Sequence, residues 1–322
     1  MDKREKTFSF KSFFSKYMVY IAFVALLIVF SLTLSNVGNG FLDMGNVWNI
    51  VRQTALIAIL ATGMTFALSA GQIDLSVGTT VGLVSLATAV LVQSHGVVVG
   101  VIAGVALGAL IGAVNGVLIA WVNIPPFIAT LGMQILIGGV SRTVSELKSF
   151  PVTDTFFNNV FGGGTIGSVP VLLIWMLVIV ALGHIFLKKR PFGRKVLAVG
   201  GNPKSAEYSG INVKMTIFKV MLICGLLAGI AGVLWTGRFS GGRYSLGEDA
   251  ETSAIAAAVL GGTSIFGGKG SVIGACIGSV MMGMIDNALV MYGLDVYQQM
   301  IVRGVIILLA VAITVNAEKS EK

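Results

Sequence analysis

The sequence predicts an all-α, polytopic membrane protein with about ten transmembrane helices, in a single domain over residues 1–322. Of these 322 residues, 55% are hydrophobic and only 11% are charged, whereas about a quarter are charged in a typical soluble domain. Apolar stretches of about 20 residues are typical of membrane spans, and the chain has room for roughly ten. The 42 glycines suit closely packed membrane helices. This composition excludes a soluble globular domain and a disordered chain.

Ten apolar segments account for this fold class. The fifth and eighth are short for a full crossing, so we expect half-helices or tilted helices there, which persist in a membrane only when protein surrounds them. An eight-span arrangement that omits these two remains open. The first segment is too long for the apolar region of an ordinary signal peptide, so we expect a retained helix. The segments lie near residues 17–34, 52–70, 77–93, 97–122, 126–141, 169–187, 215–236, 252–265, 271–291 and 299–316.

Basic residues predict the orientation of the chain. They concentrate in an N-terminal segment, residues 1–16, and in the connection after the sixth span, residues 188–214, whereas loops near 35–50, 94–96 and 122–125 carry no Lys or Arg. Short loops rich in Lys and Arg stay in the cytoplasm, so both basic segments are expected there, with six crossings between them. Four further spans place the C-terminus in the cytoplasm as well. The basic residues are Lys3, Arg4, Lys6, Lys11, Lys16, Lys188, Lys189, Arg190, Arg194, Lys195, Lys204, Lys214, Lys319 and Lys322.

Two glycine-rich segments predict an internal repeat. Residues 104–116 place glycines at near-helical spacing and end beside Asn115, and residues 274–287 do the same and end with Asp286 and Asn287. If these are equivalent fourth and ninth spans, the repeat unit has five crossings, and an odd number inverts the second copy. Inverted repeats are common in transporters, with the pathway at the repeat interface. The alternative is a chance likeness between glycine-rich helices.

The 188–214 segment carries signals for a short helix. Asn202 suits the N-cap, Pro203 suits the first helical position, and Gly210 suits the left-handed position after the helix. The expected helix, Pro203 to Ser209, is far shorter than the ~12–15 residues needed for independent stability. It is either a solvated connector or a projection that docks in a soluble subunit. In the second case the docking residues would be Asn202, Pro203, Lys204, Ala206, Glu207, Ser209 and Gly210.

Polar residues within or beside the apolar runs are candidates to line a solute pathway, because such residues are rare in a membrane interior and usually functional. Asp74 either contacts the solute or caps the third helix at its positive N-terminus. Asn115 and Asn287 either contact the solute or tie helices together, and Gln134 is similarly open. The candidates are Asp74, Asn115, Gln134, Asp286 and Asn287.

Several other kinds of site are excluded. No span carries a dense ring of charge, which favours a neutral, polyhydroxylated solute over an ion, and Arg52 and Arg303 lie at span ends, where snorkelling explains them. The net charge of +8 is too sparse for nucleic-acid binding. Residues 262–270 lack both ends of a phosphate-binding loop, so no nucleotide site is expected in this chain. Its two cysteines and two histidines do not cluster, and we expect no metal and no cofactor.

Four ordered stretches resemble the permeases of ribose-type ATP-binding-cassette importers. Residues 198–213 (AVGGNPKSAEYSGINV) resemble the cytoplasmic coupling segment of that family. Residues 71–78 (GQIDLSVG) are similar to the element after its second span, residues 254–270 (AIAAAVLGGTSIFGGKG) to its AIAAxxLGGTSxxGGKG element, and residues 297–304 (YQQMIVRG) to the start of its last span. Order and spacing agree over about 46–312, which makes the resemblance highly specific.

The resemblance implies an importer of type II fold in a bacterial inner membrane. Such a permease pairs with a second copy or a paralogue, docks two cytoplasmic ATPase subunits on its coupling helices, and receives sugar from an extracytoplasmic binding protein. Independently of the resemblance, the orientation predicted from the basic residues places Glu251 and Ser253 near the outer mouth of the pathway. Ser253 stands where the ribose permeases have Asp, so ribose itself is not assumed. The competing hypothesis is a secondary transporter driven by protons or sodium, with Asp286 as the coupling carboxylate.

Overall fold

The computed structural model describes residues 10–319, and it is mostly helical. Lys3, Arg4, Lys6 and Lys322, which enter the orientation argument, lie outside the described residues. The helices are α1 (Phe10–Thr33), α2 (Met44–Ser69), α3 (Val77–His95), α4 (Val97–Ala120), α5 (Pro126–Ser145), α6 (Thr155–Asn158), α7 (Val171–His184), α8 (Pro191–Gly201), α9 (Pro203–Tyr208), α10 (Val213–Arg238), α11 (Ala250–Leu260), α12 (Val272–Met291) and α13 (Val296–Lys319). Two π-helical turns, Asn159–Gly163 and Ile185–Lys189, follow α6 and α7.

Helices occupy each of the ten predicted apolar segments. Within residues 10–319, seven helices are long and apolar enough to cross a membrane, namely α2, α3, α4, α5, α10, α12 and α7 extended to Lys189. Three shorter apolar helices are Val19–Thr33, Ala250–Leu260 and Val296–Leu309. The expectation that the eighth segment is short is confirmed by the 11 residues of α11. For the fifth it is wrong, since α5 has 20 residues and continues through Ser141 and Arg142, whose side chains bond to carbonyls of the same helix.

Side-chain caps define several helix starts. Asp43 accepts hydrogen bonds from the amides of Gly45 and Asn46 at the start of α2. Asn212 accepts from Met215 at the start of α10, and Ser271 accepts from Gly274 at the start of α12. Each cap satisfies amides that have no partner within the helix.

The long helices α2 and α10 form the centre of the molecule. Helix α10 packs against α4, α3 and α2, while α2 packs against α12, α11 and α7. Glycines permit the α4–α10 contact, because a Cβ at Gly108 would lie 2.5 Å from Gly229 Cα, and one at Gly112 would lie 2.8 Å from Gly225 Cα. Backbones that approach this closely gain packing that larger side chains would prevent.

A non-helical, turn-rich segment, residues 239–249, here called the α10–α11 linker, joins α10 to α11 and runs along α3. Within it, β4 (Gly241–Gly242) pairs antiparallel with β1 (Phe150–Pro151). A second short antiparallel pair, β2 (Thr165–Ile166) with β3 (Val169–Pro170), precedes α7. Ser85 Oγ in α3 donates a hydrogen bond to the carbonyl oxygen of Arg243 at 3.0 Å. The segment thereby places the first turn of α11 against the first turn of α3, and this contact positions the polar site.

Candidate functional site

A cavity of 480 Å³, here the first cavity, lies among α2, α10, α11, α12, α13 and the α10–α11 linker. Its size is in the range of small-molecule pockets. Two predicted pathway residues, Ser253 and Asp286, line it together with Arg238, Glu248 and Arg303. The cavity therefore combines both signs of charge with hydroxyl groups, which suits a polar solute rather than one ion.

Arg303 and Asp286 form an ion pair in this cavity. Arg303 Nη2 lies 3.1 Å from Asp286 Oδ1, and the two side chains are 25% and 14% exposed. Snorkelling, which we expected for Arg303, is therefore wrong. The physical reason is that the neighbouring helix α12 supplies a carboxylate within reach, so the guanidinium turns inward.

A second cavity, of 490 Å³, holds the predicted pathway residues Gln134 and Glu251. Gln134 Nε2 in α5 donates a hydrogen bond to Glu251 Oε1 in α11 at 3.1 Å. Glu248 lines both cavities, and it pairs with Arg142 Nη2 at 3.1 Å. The Arg142 guanidinium lies over the ring of Tyr244, 5.2 Å from its centroid. Glu248 thus belongs to the walls of both cavities, and its partner Arg142 to the wall of the second.

Asp74 and Asn115 belong to a separate, buried cluster. Asp74 Oδ1 accepts hydrogen bonds from the Ser76 amide at 3.0 Å and from Ser76 Oγ at 2.7 Å, and Asn115 Nδ2 donates to Ser76 Oγ at 2.8 Å. Asp74 is 1% exposed and Asn115 is fully buried. Burial raises the pKa of the Asp74 carboxyl, and the hydrogen bonds from Ser76 and Asn115 act in the opposite direction. The cluster ties the start of α3 to α4, and neither residue lines the two cavities.

Asn287 likewise faces a neighbouring helix. Asn46 Nδ2 donates to Asn287 Oδ1 at 3.0 Å, and Asn287 Nδ2 donates to Asn46 Oδ1 at 2.8 Å. This reciprocal pair joins α12 to the first turn of α2. In this structure the side chain of Asn287 therefore ties two helices together.

The predicted short helix in the 188–214 segment is confirmed as α9. Asn202 Oδ1 accepts from the Ser205 amide at 3.0 Å. At the other end Gly210 has φ +80°, its amide donates to Glu207 O, and the Ile211 amide donates to Ala206 O. These two bonds form a Schellman motif, which requires the left-handed residue. Ala206 is buried, whereas Tyr208 is 90% exposed and projects from the helix.

Sequence reasoning missed several partners in these clusters. Arg238 and Glu248 line the first cavity, Ser76 holds Asp74, and Asn46 pairs with Asn287. Of these partners, only Ser76 could have been predicted from the sequence. It lies two residues after Asp74 at the start of a helix, where short polar side chains form local hydrogen bonds. The others are brought in by packing of helices distant in sequence.

This architecture, long apolar helices around polar cavities, defines a polytopic membrane protein of the transport class. Residues 46–311 match the family described as branched-chain amino acid transport system / permease component. The chain belongs to this permease family, and the resemblance seen in the sequence is confirmed.

Individual relatives match over nearly the whole chain. It is 38% identical over 317 residues to the ribose import permease protein RbsC of Bacillus subtilis (strain 168), which covers 97% of this chain and 96% of that protein. It is 36% identical over 312 residues to the D-allose transport system permease protein AlsC of Escherichia coli (strain K12), with coverage of 96% and 94%. It is 33% identical over 293 residues to the galactose/methyl galactoside import permease protein MglC of Haemophilus influenzae, with coverage of 85% and 87%.

Proposed function

We propose that this chain is the membrane-spanning permease subunit of an ATP-driven importer for a monosaccharide. The observation that carries the proposal is the near-full-length similarity to permeases named for ribose, D-allose and galactose. The family description names branched-chain amino acids, but the relatives named above are sugar permeases. Ribose, allose and galactose share a ring with several hydroxyl groups, and this is the solute chemistry we assign.

The cavities support a pathway for such a solute. The candidates that line them are Gln134, Glu251, Ser253 and Asp286. Carboxylates accept hydrogen bonds from sugar hydroxyls, and amides and hydroxyls both donate and accept them. Arg142 and Arg303 balance the charges of two cavity carboxylates, Glu248 and Asp286. A weakly binding pathway of balanced charge leaves selectivity to the binding protein outside. Asp74, Asn115 and Asn287 take a supporting role in this proposal, because they hold the pathway helices together.

The proposal includes ten crossings in two inverted repeats, α1–α5 and α7 with α10–α13. Equivalent helices would then be α3 and α11, α4 and α12, and α2 and α10. Helix α3 packs against α4, α5 and α10, and α11 packs against α12, α13 and α2, as the repeat requires. Both termini and residues 188–214 are assigned to the cytoplasm of a bacterial cell with an inner membrane, because the basic residues concentrate in these segments.

Helix α9 is assigned as the docking element for a cytoplasmic ATPase. It projects Tyr208 into solvent, and a six-residue helix needs a partner or flanking spans for stability. ATP hydrolysis is left to that partner, because the nucleotide-like stretch 262–270 is a tight turn in which the Ser264 amide bonds to Lys269 O at 3.1 Å. The other partners are a second permease copy or paralogue and an extracytoplasmic sugar-binding protein.

The competing function is an ion-coupled transporter with Asp286 as its carboxylate. The Asp286–Arg303 pair argues against it, because Arg303 already occupies the carboxylate as its cationic partner at 3.1 Å. A single experiment separates the two functions. Uptake of labelled pentoses and hexoses is measured in cells with and without the chain, under ATP depletion and, separately, with an uncoupler. The proposal expects uptake of at least one sugar that needs ATP and an ATPase subunit that co-purifies with the tagged chain. Uptake that survives ATP depletion and collapses with the ion gradient refutes it.

A further inference from the structure

The coupling segment meets the turn after α11 through a contact made almost entirely of backbone. A Cβ at Gly200 would overlap the carbonyl oxygen of Ser69 and would lie 2.7 Å from the Gly268 amide nitrogen. A Cβ at Gly267 would overlap the carbonyl oxygen of Gly200. The Gly268 amide donates a hydrogen bond to Ser69 O at 3.0 Å. We call this contact of Ser69, Gly200, Gly267 and Gly268 the glycine junction.

One side of the junction leads directly to α9. Gly200 and Gly201 are the last two residues of α8, and the next residue, Asn202, is the N-cap of α9. Helices α8 and α9 also pack against each other. A displacement of α9 must therefore pass through the end of α8, which the glycine junction holds against the end of α2.

The other side leads to the cavities through α11. The turn between α11 and α12 is closed by the bond from the Ser264 amide to Lys269 O, so Gly267 and Gly268 sit at its tip. At the base of the turn, Cβ atoms at Gly261 and Gly274 would overlap the facing backbone, which makes α11 and α12 a tight pair. Helix α11 is about 16 Å long by its 11 residues. Its far end carries Glu251 and Ser253, which line the second and first cavities.

We infer that Gly200 and Gly267 are positioning residues that transmit movement of α9 to the cavity-lining helix α11. The inference rests on the proposed function, since it needs an ATPase that moves α9. Packed backbones transmit displacement well because they have no flexible side chain to absorb it. The residues act through α11 and do not touch the solute. A substitution that wedges the junction apart should therefore separate ATP hydrolysis from transport.

The glycines of the chain supply matched controls. Gly201→Ala places a methyl next to the junction with its nearest neighbour, Gly268 Cα, at 3.9 Å, an ordinary contact. Gly262 has φ +83° and open space around its Cβ, while Gly267 has φ +89° and the Gly200 carbonyl in the way. Gly262→Ala thus shares the backbone strain of Gly267→Ala without the clash.

The test measures ATP hydrolysis and sugar uptake in the same liposomes. The tagged chain is purified with its ATPase and reconstituted, and the binding protein is added with labelled sugar. We expect Gly200→Ala and Gly267→Ala to keep the ATPase bound and its hydrolysis within about twofold, while sugar taken up per ATP falls about tenfold or more. Gly201→Ala and Gly262→Ala should keep the wild-type ratio.

Three results overturn the inference: a wild-type ratio in both junction variants, an equal fall in the matched controls, or a loss of assembly in parallel with uptake. The last result would assign the junction a purely structural role. A wild-type complex that hydrolyses no ATP and imports no sugar instead refutes the proposed function, so the two failures are distinct.

Discussion

Arg303 of α13 and Asp286 of α12 form a direct ion pair in the wall of the first cavity, with Nη2 3.1 Å from Oδ1. The pair is largely shielded from solvent, so each charge depends on the other for neutralisation. Removing one partner of such a pair is costly because the remaining charge keeps its desolvation without compensation. The charge balance of the cavity therefore rests on a contact between two neighbouring helices.

Asp286→Asn tests whether this carboxylate is a structural partner or a coupling group. We expect ATP-dependent uptake to fall by about three- to tenfold, because Arg303 is left unpaired at a cost of roughly 1 kcal/mol after solvent screening. The double variant Asp286→Asn with Arg303→Gln should recover part of the loss, since no isolated charge remains. Initial uptake rates with and without an uncoupler measure both effects. Complete loss in the single variant without recovery in the double variant would favour ion coupling.

Gly210→Val tests α9 as a docking element. Gly210 has φ +80° in the Schellman motif, and a side-chain-bearing residue in the left-handed region costs about 1–2 kcal/mol. The end of α9 should reorganise, and co-purification of the ATPase should fall about tenfold or more while membrane insertion is unchanged. Gly210→Asn is the control, because Asn tolerates this conformation. Wild-type co-purification and uptake in Gly210→Val would contradict the assignment.

The sequence anticipated what local chemistry determines. Asn202 and Gly210 end α9 through bonds to neighbours in the chain, and the apolar runs located the helices. The sequence could not predict how residues 239–249 pack, because they have no helical periodicity and are held in place by contacts with α3. Pairs such as Asn46 with Asn287 join residues 241 positions apart, so only packing brings them together. The apolar pattern also did not predict that α5 continues past residue 141 to Ser145. A polar helix end has low hydropathy, although its backbone hydrogen bonds continue.

Ser253→Cys tests the orientation of the chain. In a variant that lacks Cys224 and Cys276, a cysteine at this cavity-lining position should react with a membrane-impermeant thiol reagent added from outside the cell. Tyr208→Cys is the matched control: its position is 90% exposed on α9, and it should react only in inside-out vesicles. Mass-shift labelling on intact cells and on inside-out vesicles measures the reactivity of both cysteines. The reverse pattern would mean that the orientation is inverted.

Glu251→Gln tests the second cavity. In the structure, Gln134 Nε2 donates to Glu251 Oε1 at 3.1 Å. Glutamine at position 251 keeps the size of the side chain and a carbonyl oxygen that can accept this hydrogen bond, but it removes the negative charge. Hydrogen bonds to a charged group are roughly twice as strong as neutral ones, so we expect sugar uptake to fall about tenfold, equivalent to about 1.4 kcal/mol. The amount of folded complex should not change. Thr252→Ala, at an exposed position on the same helix, is the control. Unchanged uptake of every sugar in the panel would remove Glu251 from the pathway.

Gly108→Val tests whether the glycines of α4 are required for folding. The Cβ at this position would lie 2.5 Å from Gly229 Cα, so valine must force α4 away from α10 along the largest helix–helix contact of the core. Overpacking of a dense core usually costs about 1–3 kcal/mol, and here the neighbour is backbone, which cannot rotate away. We expect a lower yield of monodisperse protein and a lower unfolding temperature in detergent. Gly132→Val is the matched control, because a Cβ at that position on α5 meets nothing within 4 Å. Equal stability of the two variants would mean that α4 and α10 are less tightly packed than this structure has them.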